Sequence, residues 1–141
     1  MSHPESPPNP SFLFSGINHV TLPVSDKTKS EAFYVGTLGL TKVTVGSSLW
    51  IRVGDQFIHL NQSTLIPSSS FAHFAIRVEN LLEYLNVLQK KGIDIFDFDE
   101  TLKEISFNVE FEKPNRQFFL RDPDGHLLEL IDAQNTFFHP V

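Results

Sequence analysis

One order of elements is written twice in this chain, and few folds accommodate such a duplication. Ile17–Val24 reads as a strand, and Ser25-Asp26 breaks it with helix-starting chemistry. Thr28 and Glu31 stand at capping-box spacing, and Gly39 after Leu38 supplies a helix stop. Three strands follow at Thr41–Val45, Leu49–Val53 and Gln56–Asn61, the last two joined by a tight turn at Gly54-Asp55. After a Ser/Pro-rich linker from Gln62 to Ser70 the order returns. Phe71–Val78 is a strand, and Glu79–Lys91 is a helix with Leu81, Leu82, Leu85 and Leu88 on one face and Gly92 as its stop. A short strand near Ile93–Phe96, the alternating Ile105–Phe111, Arg116–Arg121 and His126–Asp132 complete the copy, with Asp122-Pro123-Asp124-Gly125 as a turn. Each copy is about 60 residues long, one supersecondary unit. The pattern predicts an α+β fold in which two βαβββ modules form a cupped mixed sheet with helices on the outside. The expected bounds are a disordered Pro-rich arm 1–14, a first module 15–61, the linker 62–70, a second module 71–133 and a tail 134–141.

Composition narrows the partners. The chain has 141 residues, 40% hydrophobic and 20% charged, enough for a single core. Its 14 phenylalanines are read as core and pocket lining in strands. A net charge of −6 with no basic run longer than Lys90-Lys91 argues against nucleic acid, which needs clustered Lys and Arg. No apolar stretch approaches a membrane span, and MSHPESPPNPS lacks the features of a signal peptide. The absence of cysteine removes disulfides, thiolate ligands and cysteine nucleophiles, and fits a cytoplasmic location.

Strand alternation sorts side chains between faces. If Val20, Leu22, Phe74 and Ile76 face the helices, then His19, Thr21, His73 and Ala75 face the other way. Ile58, Leu60, Leu128 and Leu130 likewise turn His59 and Glu129 inward. The repeat relates His19 to His73 and His59 to Glu129. Any one of these alone reads best as a hydrogen-bonded core residue. Four polar groups converging in a shielded cleft favour one divalent metal ion (Zn, Ni, Mn, Co or Fe), since imidazole and carboxylate are its usual ligands. Trp50, Arg52, Phe57, Gln117 and Phe119 also alternate inward as candidate substrate contacts. Arg52 reads equally as an anion clamp or a surface arginine near a strand end. His126 belongs to its turn, His3 and His139 lie in the tails without a role, and Asp94, Asp97, Asp99 and Glu100 read as a solvated charge run.

The segments GINHVTLPVSD, AFYVGTLGL, AHFAIRV and FFLRDPDGHLLELID resemble the hallmarks of the vicinal oxygen chelate superfamily, over about residues 16–133. The resemblance implies a cupped sheet of paired modules and a metal held by His19, His73 and Glu129. His59 falls where glyoxalase I carries Glu and where fosfomycin-resistance proteins carry a non-ligand, so it is either a fourth ligand or a base. Thr21 matches a substrate-contacting Thr of the latter. With one carboxylate, a metal site keeps positive charge and favours an anionic substrate.

The expected function is that of a metal-dependent, glyoxalase-like lyase or isomerase, acting on a small oxygen-rich molecule by bidentate chelation, with Glu129 and His59 as its catalytic pair. Two alternatives stand beside it: a metal-free drug-binding module of the bleomycin-resistance type, and an Fe(II) dioxygenase. Antibiotic thiol transfer is disfavoured, because the loop that is basic in fosfomycin-resistance enzymes is acidic here and AQNTFFHPV has no arginine. A homodimer is expected, since exposed edges of such sheets invite pairing, with the cupped sheet closed either within one chain or by exchange of modules between two.

Overall fold

In a computed structural model, residues 5, 12–67, 70–106 and 117–134 are described. The first module runs β1 (His19–Val24), α1 (Lys27–Glu31), a π-helical stretch (Ala32–Thr37), β2 (Thr41–Val45), β3 (Ser48–Val53) and β4 (Gln56–Gln62). The second runs β5 (His73–Val78), α2 (Leu81–Lys90), β6 (Phe96–Phe98), β7 (Glu104–Ser106), β8 (Phe118–Arg121) and β9 (Leu127–Asp132). Most of the expected Ile105–Phe111 strand, the start of Arg116–Arg121, nearly all of the Pro-rich arm and the tail beyond Gln134 lie outside the described residues.

The two sheets repeat one topology. The first is ordered β1-β4-β3-β2, and the second β5-β9-β8-β6-β7, the hairpin partner β7 being its extra edge. In each, the first and last strands pair parallel and the rest pair antiparallel. Parallel strands need a crossover, and each module's helical segment provides it. β1 and β5 are edge strands of separate sheets, so one chain presents two half-cups rather than a continuous sheet.

Local chemistry explains the helices, with one departure. The N-cap of α1 is Asp26, whose Oδ1 accepts from the N–H groups of Thr28 (2.9 Å) and Lys29 (3.3 Å). Thr28 is therefore inside the helix, and Glu31 pairs with Lys42 (2.6 Å) instead of closing a capping box. The aromatic pair Phe33-Tyr34 then sits in a wider turn, with Leu38 N–H donating to Phe33 O at 2.8 Å. Gly39 ends it at φ +81°, a left-handed conformation that glycine adopts freely. In α2, Leu81, Leu85 and Leu88 are buried as the periodicity predicts, while Leu82, expected on the same face, is only half-buried.

One core joins the modules. Val24, Tyr34, Leu38, Ile51, Ile58 and Leu60 pack in the same cluster as Leu85, Leu88, Phe118, Leu120 and Leu128. Each fully buried side chain of this size contributes about 1.5–3 kcal/mol. Polar bonds across the junction fix its register. The Tyr34 hydroxyl donates to Asp122 Oδ2 (2.8 Å), His126 Nε2 donates to Pro23 O (2.6 Å), and the Ser25 N–H meets the Asp124 carboxylate at 3.1–3.2 Å. Burial, with the Asp122 carboxylate alongside, pushes the Tyr34 phenol far above its ordinary value. His126 is thus spent in the turn and on Pro23. The acidic run is less solvated than its composition suggests, since Asp97 is buried.

Candidate metal centre

Alternation delivers the expected faces. On β1, Val20, Leu22 and Val24 pack towards the core while His19 and Thr21 stay exposed. On β5, Phe74, Ile76 and Val78 do the same and leave His73 and Ala75 on the open side. The registers match across the repeat: Thr21 lies opposite His59, and Ala75 opposite Glu129. Each half-cup therefore carries one first-strand histidine and one last-strand polar group in equivalent places.

The second half-cup holds the tighter pair. His73 Nε2 meets Glu129 Oε1 at 2.9 Å, with the two side chains only 22% and 12% exposed. His73 Nδ1 lies 2.7 Å from the Phe71 carbonyl, which can only accept, so Nδ1 carries hydrogen. Nε2 then faces the Glu129 carboxylate, a juxtaposition that a shared proton or a cation bound to both satisfies. A ring held through Nδ1 by a backbone carbonyl is the usual outer support of a metal-binding histidine. The donor chemistry therefore fits a divalent ion. Phe71 and Phe119 wall the ring edge-on, with centroids at 5.2 and 5.1 Å.

The first half-cup repeats the device more loosely. His19 Nδ1 is 2.7 Å from Asn18 Oδ1, and Nε2 makes no hydrogen bond among the described residues. His59 lies 6.4 Å from His19, centroid to centroid, and stacks on Trp50. Trp50 meets His19 edge-on at 4.9 Å and Phe57 at 6.1 Å. Arg52 leans over Phe57, its guanidinium carbon 5.2 Å from the ring centroid. Of the remaining expected contacts, Gln117 is exposed and Phe119 is buried among Phe96, Phe98 and Leu127.

Within one chain the four expected ligands thus stand as two pairs. Among the described residues, no three His, Asp or Glu side chains gather at one point. Sequence reasoning missed Asn18 and Phe71, which orient the two histidines, and the rings of Phe96 and Phe98. Asn18 was findable as the neighbour of His19. Phe71 acts through its carbonyl, which leaves no trace in residue type.

Known proteins resemble this chain in sequence and in fold. The "metallothiol transferase FosB" of Staphylococcus epidermidis is 29% identical over 128 residues, covering 84% of this chain and 84% of the relative. The "glutathione transferase FosA" of Serratia marcescens is 28% identical over 126 residues, covering 84% and 81%. The crystal structure of a fosfomycin resistance protein, FosX, from Mesorhizobium loti superposes with a TM-score of 0.62 at 19% identity, over 84% of this chain and 92% of that one, a likeness of fold. The profile of the glyoxalase/bleomycin resistance protein/dioxygenase superfamily matches residues 16–130. With the duplicated module and the half-cups already in view, that match over most of its length makes this chain a member of the superfamily.

Proposed function

We propose that the protein is a metal-dependent enzyme that binds a small oxygen-rich anion and stabilises charge developing on its oxygens, a lyase or isomerase of glyoxalase type. The observation that carries this reading is the His73–Glu129 pair, two acceptor-type donors at 2.9 Å with Nδ1 already committed to Phe71. His73, Glu129 and His19 would hold the ion, with His59 as a fourth donor or as a nearby base. When bound, a divalent ion supplies Lewis acidity towards paired oxygens. The chain does the rest. Thr21 offers a hydroxyl opposite His59, and Trp50 and Phe57 form an apolar floor that holds water away from the reacting end. His59, off the metal, can take a proton from a substrate carbon lying over that floor.

The separation of the two pairs supports a homodimer in which β1 of one copy lies beside β5 of another and completes the site. The relatives' names favour one further reaction, addition of a thiol to a metal-chelated electrophile. The substrate scope is tested by loading the purified chain with Mn, Ni, Zn or Fe(II) in turn and assaying hemithioacetals, phosphonate epoxides with thiols, and catechols with oxygen. Turnover of a hemithioacetal alone supports the isomerase reading. Thiol consumption with an epoxide replaces it with transfer, and oxygen uptake with dioxygenation. A chain that binds no divalent ion overturns all three in favour of a metal-free binding module.

A further inference from the structure

We propose that Arg52 is a second anion anchor, and that the site selects an acid carrying a chelating head at its His19 end and a terminal carboxylate at its Arg52 end. This rests on the metal reading above and adds the substrate class. Arg52, Phe57 and His19 form one cross-strand row, since Arg52 pairs with Phe57 on β4 and Phe57 pairs with His19 on β1. Residues in one row share a face, so Arg52 belongs to the same open surface as His19. Its guanidinium, though exposed, lies over Phe57, the middle member of the row, which places it on the His19 side of β3.

Availability separates Arg52 from another arginine on an open face. Arg121 is consumed: it binds Glu104 Oε1 through Nε (3.2 Å) and Nη2 (2.6 Å), binds Gly125 O (3.1 Å), and covers Phe96. Among the described residues Arg52 has the Phe57 ring as its partner and no carboxylate. A planar fork left open beside a chelating centre is matched to a carboxylate. The chain carries a net charge of −6, which repels anions at long range, so a local guanidinium is what makes an anionic tail acceptable.

Spacing sets the length of the ligand. Two strand separations place the backbones of Arg52 and His19 about 10 Å apart. Both side chains reach inwards, which leaves room for a body of roughly two to four carbons between head and tail. That body lies on Phe57 and Trp50, whose rings meet edge to face at 85°.

The test uses the full chain loaded with Mn(II), and two probes with the same chelating head: 2-oxopentanoate and 2-oxoglutarate. They differ at the terminal carboxylate. Trp50 is the one tryptophan in the sequence and touches the row, so its fluorescence reports binding, with calorimetry as a second readout. The wild type is expected to bind 2-oxoglutarate about tenfold more tightly than 2-oxopentanoate, a ratio typical of one charge-assisted fork. Arg52→Gln should bring the two affinities together without moving Mn(II) affinity, and Arg52→Lys should restore part of the difference. Equal affinities in the wild type, or a ratio that survives Arg52→Gln, overturns the role of Arg52 and leaves the metal reading standing. Failure of the wild type to bind Mn(II), Ni(II), Zn(II) or Fe(II) overturns both.

Discussion

The imidazole of His59 lies flat on the indole of Trp50, with centroids 4.2 Å apart and planes 2° apart. The stack holds His59 on the open face of β4, directly across from Trp50 in the β3–β4 register, and beside His19. A ring kept in place by packing can act as a ligand without first losing rotamer freedom. His59→Gln is expected to weaken divalent-metal binding about tenfold, within the range for changes in or next to a metal's ligand set. Folding should be intact, because His59 faces the cleft. Quenching of Trp50 fluorescence by added Co(II) measures the affinity. An unchanged midpoint would reduce the donor set to His19, His73 and Glu129.

His73 and Glu129 make a different kind of prediction. Nδ1 of His73 is committed to Phe71, so any proton shared by Nε2 and Glu129 in the metal-free protein would have to leave when a metal arrives. Calorimetric titration with Zn(II) in buffers of different ionisation enthalpy should therefore report proton release per metal bound. Glu129→Gln removes the negative ligand and should both weaken binding and lower the protons released. Identical apparent enthalpies in all buffers would exclude a shared proton.

Tyr34 ties the modules together through Asp122, which is 5% exposed. Tyr34→Phe leaves Asp122 Oδ2 without that donor and should cost about 1–3 kcal/mol in urea denaturation. Its pH dependence has a definite sign. The Tyr34 phenol is raised above its ordinary value of 10.0, mainly by burial and then by Asp122, while burial pushes Tyr84 up to about 12. A phenol raised in the folded state adds stability that is complete below its unfolded value and fades as pH climbs towards the folded one. The wild type should therefore lose stability above pH 10, with a shallower loss in Tyr34→Phe. Phenolate absorbance should not rise near pH 10 while the protein is folded.

Much of this arrangement could be read from residue order, and the failures have physical causes. Strand alternation turned His19, His59, His73 and Glu129 to the open faces, because period two leaves no freedom once Val20, Ile58, Ile76 and Leu128 pack into the core. At α1 the cap is Asp26 rather than Thr28. Thr28 and Glu31 have the spacing, but the Asp26 carboxylate reaches two N–H groups first. Asp26→Ala should cost about 1 kcal/mol, and Thr28→Ala much less, in matched denaturant curves. Asp97 looked like one of several solvated carboxylates, and only the pairing of β6 with both β7 and β8 puts it in a buried position. That two half-cups stay separate was equally out of reach, since edge pairing leaves no pattern in local sequence.

The division of the site between β1 and β5 yields the most decisive experiment. His19 lies in one sheet and His73 with Glu129 in the other, and both β1 and β5 are sheet edges. Suppose two copies exchange halves, so that each site takes His19 from one chain and the other pair from its partner. A chain with His19→Ala and a chain with Glu129→Ala would each bind metal poorly alone. Unfolded together in equal amounts and refolded, half of the dimers would be mixed, and each mixed dimer would contain one intact site. High-affinity metal binding should return to roughly a quarter of all sites, the statistical limit for a two-fold assembly. If every site forms within one chain, each chain in the mixture carries a lesion and no binding returns. Recovery near a quarter, with the mixed species running as a dimer in light scattering, establishes the exchanged arrangement; zero recovery removes it.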